Sequence, residues 1–151
     1  MKPISRKAIR KYFADVLLKK TVVTEIDDYG YRHHNQAKML QDYMPDLVID
    51  NLIKGYGGRA AGYTMGVTQV HIAQWILADE SEAKGVVRHE VAHLVQHYEH
   101  GQCRTHGKEF TKALKLVSPT NWRNDRYWHD TPIICKAREE CEANPNKIYL
   151  T

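Results

Sequence analysis

The strongest pattern of hydrophobic and polar positions lies between Ser81 and Gly101, S-E-A-K-G-V-V-R-H-E-V-A-H-L-V-Q-H-Y-E-H-G. Ala83, Val86, Val87, Val91, Leu94, Val95 and Tyr98 recur at helical spacing and make one apolar stripe. At about 100° per residue, His89, His93, Gln96, His97 and His100 fall on the opposite side. The stretch is expected to be an amphipathic helix with one face on a core and a histidine-bearing face on a cleft. Ser81 is the expected N-cap, Glu82 suits the positive end of the helix dipole, and Gly101 suits the C′ position.

The same reading extends along the chain. Residues 5–20 form a predicted helix with Ile9, Tyr12, Phe13, Val16 and Leu17 on its apolar side. Thr21 to Ile26 is β-branched and suits a short strand or an extended connection, and Asp27-Asp28-Tyr29-Gly30 is turn chemistry. His33 to Tyr43 holds good helix formers and is expected as a second helix before Pro45. Leu47-Val48-Ile49 begins a strand. Ala60 to Thr64 and Thr68 to Ala73 are expected as two strands of a hairpin turning at Met65-Gly66-Val67. In the second strand Val70 and Ile72 point one way, and Gln69, His71 and Ala73 the other. Trp75-Ile76-Leu77 then leads into the histidine helix. Beyond Gly101 a helix starting near His106 keeps Phe110, Ala113, Leu114 and Val117 on one face, and Ser118-Pro119 stops it. Asn121 to Asp130 is rich in Trp, Arg, Tyr and His. The tail from Thr131 shows no clear period, with a strand or loop at Lys147 to Leu150. The pattern predicts one α+β domain over residues 1–151, a short sheet or hairpin packed on the histidine helix with flanking helices.

Composition narrows the setting. The 151 residues suit one domain with a real core. No apolar run approaches the roughly 18 residues of a membrane span, and the basic N-terminus has no apolar h-region, so a cytoplasmic protein is expected. Cys103, Cys135 and Cys141 form no C-x-x-C pair, which argues against a zinc ribbon or a disulfide framework and for free thiols. The glycines Gly55, Gly57, Gly58, Gly62 and Gly66 do not form a phosphate-binding loop, since G-x-x-x-x-G-K-[ST] is absent. The formal charge of +4 is concentrated at the N-terminus, where Arg6, Lys7, Arg10 and Lys11 are candidate DNA contacts. A solvated helix face accounts for the same residues equally well.

The candidate chemistry sits in His89-Glu90-Val91-Ala92-His93, a match to H-E-x-x-H. On a helix, residues four apart are separated by about 40° and about 6 Å of rise, so both imidazoles can close on one Zn²⁺. Glu90 falls beside them, close enough to act on water at the metal without being a ligand. A catalytic zinc takes a third protein ligand. The extension H-E-x-x-H-x-x-G-x-x-H fails, because positions 96 and 99 are Gln and Glu. His97 would lie about 12 Å along the axis from His89, too far for one metal. A returning segment is the sensible source. His106, at the mouth of the next helix and beside Gly107, is favoured; Glu109 is the runner-up. His33 and His34 are read as surface residues. His71, His97, His100 and Tyr127 are possible supporting groups around the site, unranked.

A hairpin, the H-E-x-x-H helix and then His106-Gly107 with Phe110 on a following helix resemble the SprT-like domain of SprT and Spartan metalloproteases. The resemblance covers roughly Leu47 to Ser118. It implies a zincin-like fold, a zinc metallopeptidase with Glu90 as general base, His89, His93 and His106 as ligands, and an edge strand that takes an extended protein or peptide substrate. It also implies DNA as a partner, since the best-known members cleave proteins crosslinked to DNA. The zinc ribbon of many members has no counterpart in residues 119–151, so DNA contact would rest on the N-terminal helix or on Arg123 and Arg126. Trp122, Tyr127 and Trp128 would either stack on bases or close the core. Two alternatives stand beside this reading. One is a non-catalytic, zinc-stabilised DNA-binding or adaptor protein, with Cys103 as a fourth ligand. The other is a peptidase for one dedicated protein substrate, without DNA.

Overall fold

The computed structural model describes residues 2–19, 22, 44–51, 62–65, 69–100, 106–144, 146 and 148. The chain is α+β. Three strands, β1 (Asp46–Asp50), β2 (Gly62–Met65) and β3 (Gln69–Ala73), form one mixed sheet in the order β1-β3-β2. β2 and β3 pair antiparallel as the expected hairpin requires, with Gly62 opposite Ile72 and with Met65, assigned to the turn by the sequence pattern, inside β2 opposite Gln69; residues 60–61 and 66–68 lie outside the described residues. β1 pairs parallel with β3, Leu47 opposite Val70 and Ile49 opposite Ile72. That makes β3 the central strand. Its Val70, His71, Ile72 and Ala73 are all buried, so it is covered on both faces rather than half-buried. His71 tolerates burial because Nδ1 meets the Asp50 carboxylate at 2.6 Å and Nε2 meets Gln69 Oε1 at 2.9 Å.

A 3-10 turn, Gln74–Ala78, follows directly, and all five of its residues are buried. It leads into α2 (Glu80–His100), the histidine helix. The cap differs from the sequence expectation. The helix begins at Glu80, and the Asp79 carboxylate accepts from the backbone N–H groups of Ser81 and Glu82, 3.1 and 3.4 Å away. Asp79 therefore takes the capping role assigned to Ser81, which is exposed within the first turn. Ala83, Val86, Val87, Val91, Leu94 and Val95 are buried as the stripe predicts. Glu90, His93 and Gln96 are buried too, so the middle of α2 is enclosed nearly all round.

α1 (Arg6–Leu17) turns one face to the core and the other to solvent. Ser5 caps it, accepting from the Ala8 N–H, and Ile9, Phe13, Val16 and Leu17 are buried. α3 (Lys108–Val117) buries Phe110, Ala113, Leu114 and Val117 and stops at Ser118, as its period requires. α4 (Trp122–Asp125) is a single turn beside α2 and α3. α5 (Pro132–Ala143) corrects the reading of an aperiodic tail. Thr131 caps it by accepting from the Ile134 N–H, Pro132 opens its first turn, and Ile134, Ala137 and Cys141 are buried against the 3-10 turn. The C-terminal segment thus completes the same core as the rest of the domain. Cys135 and Cys141 are both free thiols. Among the described residues no helix is long and apolar enough to cross a membrane.

The expected helix at His33 to Tyr43, the segment Thr21 to Ile26 apart from Val22, and the glycines between 52 and 61 lie outside the described residues, as do Gly101 and Cys103. Ile148 is exposed and belongs to no strand.

Candidate metal centre

α2 carries His89 and His93 one turn apart, and the residue before the N-cap of α3 carries His106. α2 and α3 pack side by side, which brings the three imidazoles together. His106 Nε2 lies 3.2 Å from His89 Nε2 and 3.2 Å from His93 Nε2. Phe110 is the floor of the group. Its fully buried ring has centroid distances of 4.8, 4.4 and 4.8 Å to His89, His93 and His106. The Phe of the H-G-x-x-F segment therefore packs against all three rings at once.

The donor set fits a metal ion. His89 Nδ1 donates to the Asp125 backbone carbonyl at 2.7 Å, and His93 Nδ1 donates to Gln96 Oε1 at 3.0 Å. Each bond fixes the tautomer with Nδ1 protonated, leaving the Nε2 lone pair bare. Both bare lone pairs are directed at the third Nε2, an arrangement that a shared cation satisfies. Bonds of about 2.0–2.1 Å at tetrahedral angles put zinc-bound nitrogens about 3.3 Å apart, close to the spacing found here. Protonation does not compete near neutrality. Burial, with a minor contribution from His106, pushes His89 down to about 4. Burial and then the neighbouring His89 push His93 down to about 3. His106 is also lowered, by burial and then by Arg126.

Glu90 is buried beside this group, and strand β2 lies directly over it. A Cβ built on Gly62 would stand 3.2 Å from Glu90 Cγ, 3.0 Å from Val86 Cγ1 and 2.9 Å from the His71 carbonyl oxygen. The absence of a side chain at Gly62 is what allows the sheet to approach the carboxylate so closely.

His89, His93 and His106 are therefore brought together as the spacing predicts. Glu109 is exposed and does not join them. His71 is occupied in the sheet with Asp50 and Gln69, His97 is half-buried along α2, and the His100 side chain lies outside the described residues. Tyr127 is 66% exposed. Trp128 packs edge-on against Trp75 in the core, and the Lys115 ammonium and Arg123 guanidinium each lie 4.6 Å from the Trp122 ring centre. Of the candidate DNA contacts, Lys7 and Arg10 are exposed, Arg6 donates to Gln74 at 2.8 Å, and Lys11 pairs with Asp15 at 3.3 Å. Sequence reasoning missed Arg88, Gln96 as a partner of His93, and Asp125. The one available signal was Gly85 in the interior of a strong helical pattern. A Cβ there would come within 3.1 Å of Asp125 Oδ1.

The α+β fold brings together three imidazoles that could hold a metal ion, two of them on the helix that also carries the buried Glu90. The chain belongs to the SprT-like family, whose model matches residues 31–130. That match extends beyond Leu47 to Ser118 at both ends and takes in Asp125 and Arg126. Comparison with curated proteins and with solved structures returns no match.

Proposed function

We propose that this chain is a zinc-dependent endopeptidase with a zincin-like fold. The observation that carries the reading is the convergence of three neutral imidazole nitrogens beside the buried Glu90 carboxylate. His89, His93 and His106 would hold Zn²⁺. The ion supplies a Lewis acid that polarises a peptide carbonyl and makes water a nucleophile near neutral pH. Glu90 takes the proton from the attacking water and passes it to the leaving amine. Its burial keeps bulk water from competing for that proton. Strand β2 is an edge of the described sheet and lies over Glu90, so an extended peptide added to that edge would run past the carboxylate.

A purely structural metal would want a fourth protein ligand. Cys103, the candidate for that fourth ligand, lies outside the described residues, so the choice between an open and a closed site rests on experiment. The test is Glu90→Gln. It should keep stoichiometric zinc and lose peptidase activity on an unfolded protein substrate by about a hundredfold or more. Full activity in a zinc-loaded variant would remove Glu90 from the mechanism.

DNA is part of the proposal as a partner that brings protein substrates to the site. Its support is a basic cleft of about 540 Å³ beside His106, lined by Gly107, Lys108, Thr111, Lys112, Lys115 and Arg126. On this reading α3 is the favoured contact, and Arg6, Lys7, Arg10 and Lys11 on the N-terminal helix are the other candidate.

A further inference from the structure

Two of the three histidines are held from the same place. α4 is only one turn long, so the backbone carbonyl of its last residue, Asp125, has no partner within the helix. That carbonyl accepts from His89 Nδ1 at 2.7 Å. The next residue, Arg126, reaches the other side of the site. Its Nη2 donates to the His106 carbonyl at 2.6 Å and its Nη1 to Thr111 Oγ1 at 2.7 Å. Thr111 Oγ1 in turn donates to the Gly107 carbonyl at 3.1 Å, so the fork ties His106 to the first turn of α3.

The dipeptide is itself fixed. The Asp125 side chain is fully buried and paired with Arg88, whose Nε and Nη2 donate to Oδ2 and Oδ1 at 2.5 and 2.9 Å. Ser118 Oγ donates to the same Oδ2 at 2.5 Å. Arg88 also donates to the Tyr12 hydroxyl at 2.8 Å, which links α1 to the arrangement. Gly85 permits the approach, since a Cβ there would crowd Asp125 Oδ1. A bidentate guanidinium–carboxylate pair with a third hydrogen bond holds the carboxylate in orientation as well as position. The Asp125 backbone is thereby held against α2 while the neighbouring guanidinium spans to α3.

We propose that Asp125-Arg126 is a positioning clamp for the metal centre. The Asp125 carbonyl sets the ring of His89, and the Arg126 fork sets the backbone from which His106 enters. The clamp rests on the metal-binding reading of the three histidines and not on peptidase activity. Its loss should loosen the spacing of the donor nitrogens while the helices that carry them stay folded. Groups that orient metal-ligating histidines are worth about 10- to 100-fold in metal affinity.

The experiment measures zinc affinity of the full chain by competition with a chromogenic chelator, together with the visible absorption spectrum of the Co²⁺-loaded chain. Arg126→Met keeps the aliphatic stem and removes the fork. Ser118→Ala removes one of the bonds that hold Asp125. Asp125→Asn weakens the Arg88 pair, and the first two variants carry the test if it does not fold. Ile134→Val is a core change on α5, which packs against the 3-10 turn, and controls for a general loss of stability. We expect Arg126→Met to weaken zinc binding about 10- to 100-fold and to alter the Co²⁺ spectrum, with Ser118→Ala smaller in the same direction. Arg126→Lys, which reaches only one acceptor at a time, should recover part of the loss. Ile134→Val should match wild-type affinity although its melting temperature falls. Folded Arg126→Met and Ser118→Ala with wild-type affinity and spectrum would overturn the clamp alone. A wild-type chain that binds no zinc, or binds it equally well after His93→Ala, would overturn the metal reading and the clamp with it.

Discussion

His89 and His93 take up protons far below the range of a free imidazole, at about 4 and about 3, and burial is the first cause in both. An unfolded chain offers the same residues to water, where they titrate near 6.5. Between those limits the unfolded state binds more protons than the folded one, so stability rises with pH. The metal-free chain should therefore hold its full stability above about pH 6.5 and lose it progressively as the pH falls toward about 4. Denaturant midpoints in the presence of a chelator should be lower at about pH 5 than at about pH 7.5. His93→Gln should flatten the profile, because glutamine occupies comparable space and does not titrate. A midpoint independent of pH across that window would show that these two imidazoles are not held neutral by the fold. The same protons compete with a metal, so acidification acts on binding and on folding in the same direction.

The strand over Glu90 makes the strictest demand at the scale of elements. Gly62 has no room for a methyl group, because the His71 carbonyl is backbone and Val86 and Glu90 belong to a buried helix. Gly62→Ala should push β2 off α2 or turn the Glu90 side chain. Overpacking of this kind costs about 1–3 kcal/mol in stability. A displacement of about 1 Å at the carboxylate should lower kcat/KM by roughly 10- to 100-fold, while zinc affinity, which depends on α2 and α3, stays near wild type. Unchanged kcat/KM would mean that the strand does not control Glu90. α2, α3 and the hairpin were legible in the sequence because their apolar residues are large and strictly periodic. Leu94, Val95, Phe110 and Leu114 leave little doubt about which face is buried. α5 was not legible, since its buried stripe includes Ala137 and Cys141, which contribute little to any hydrophobic pattern. The parallel pairing of β1 with β3 depends on a connection, not on either strand. The site divides along the same line. His106 could be found because imidazole is a side chain at a recognisable distance from the motif. The Asp125 carbonyl could not, because every residue has one and only the end of α4 leaves this one available.

Across the whole molecule, the small positive net charge matters less than where it lies. Lys108, Lys112 and Lys115 are exposed on α3 at i, i+4 and i+7, opposite the buried Phe110, Ala113, Leu114 and Val117. They border the cleft beside His106, so a nucleic acid bound there would lie next to the proposed catalytic site. On α1, Arg6 pairs with Gln74 and Lys11 with Asp15, and Lys7 and Arg10 are exposed. If α3 carries the contact, binding should fall steeply with salt, because each phosphate neutralised releases counterions. Each such contact contributes about 0.9 to the slope of log K against log salt on duplex DNA and about 0.7 on single strands. Replacing Lys108, Lys112 and Lys115 by glutamine should flatten that slope by roughly 2 to 3, with little dependence on sequence. Lys7→Gln with Arg10→Gln should change it less. A larger change from the α1 pair would move the contact to the N-terminal helix. A chain that binds neither strand form in a salt-dependent way would leave a peptidase whose protein substrates reach it without DNA.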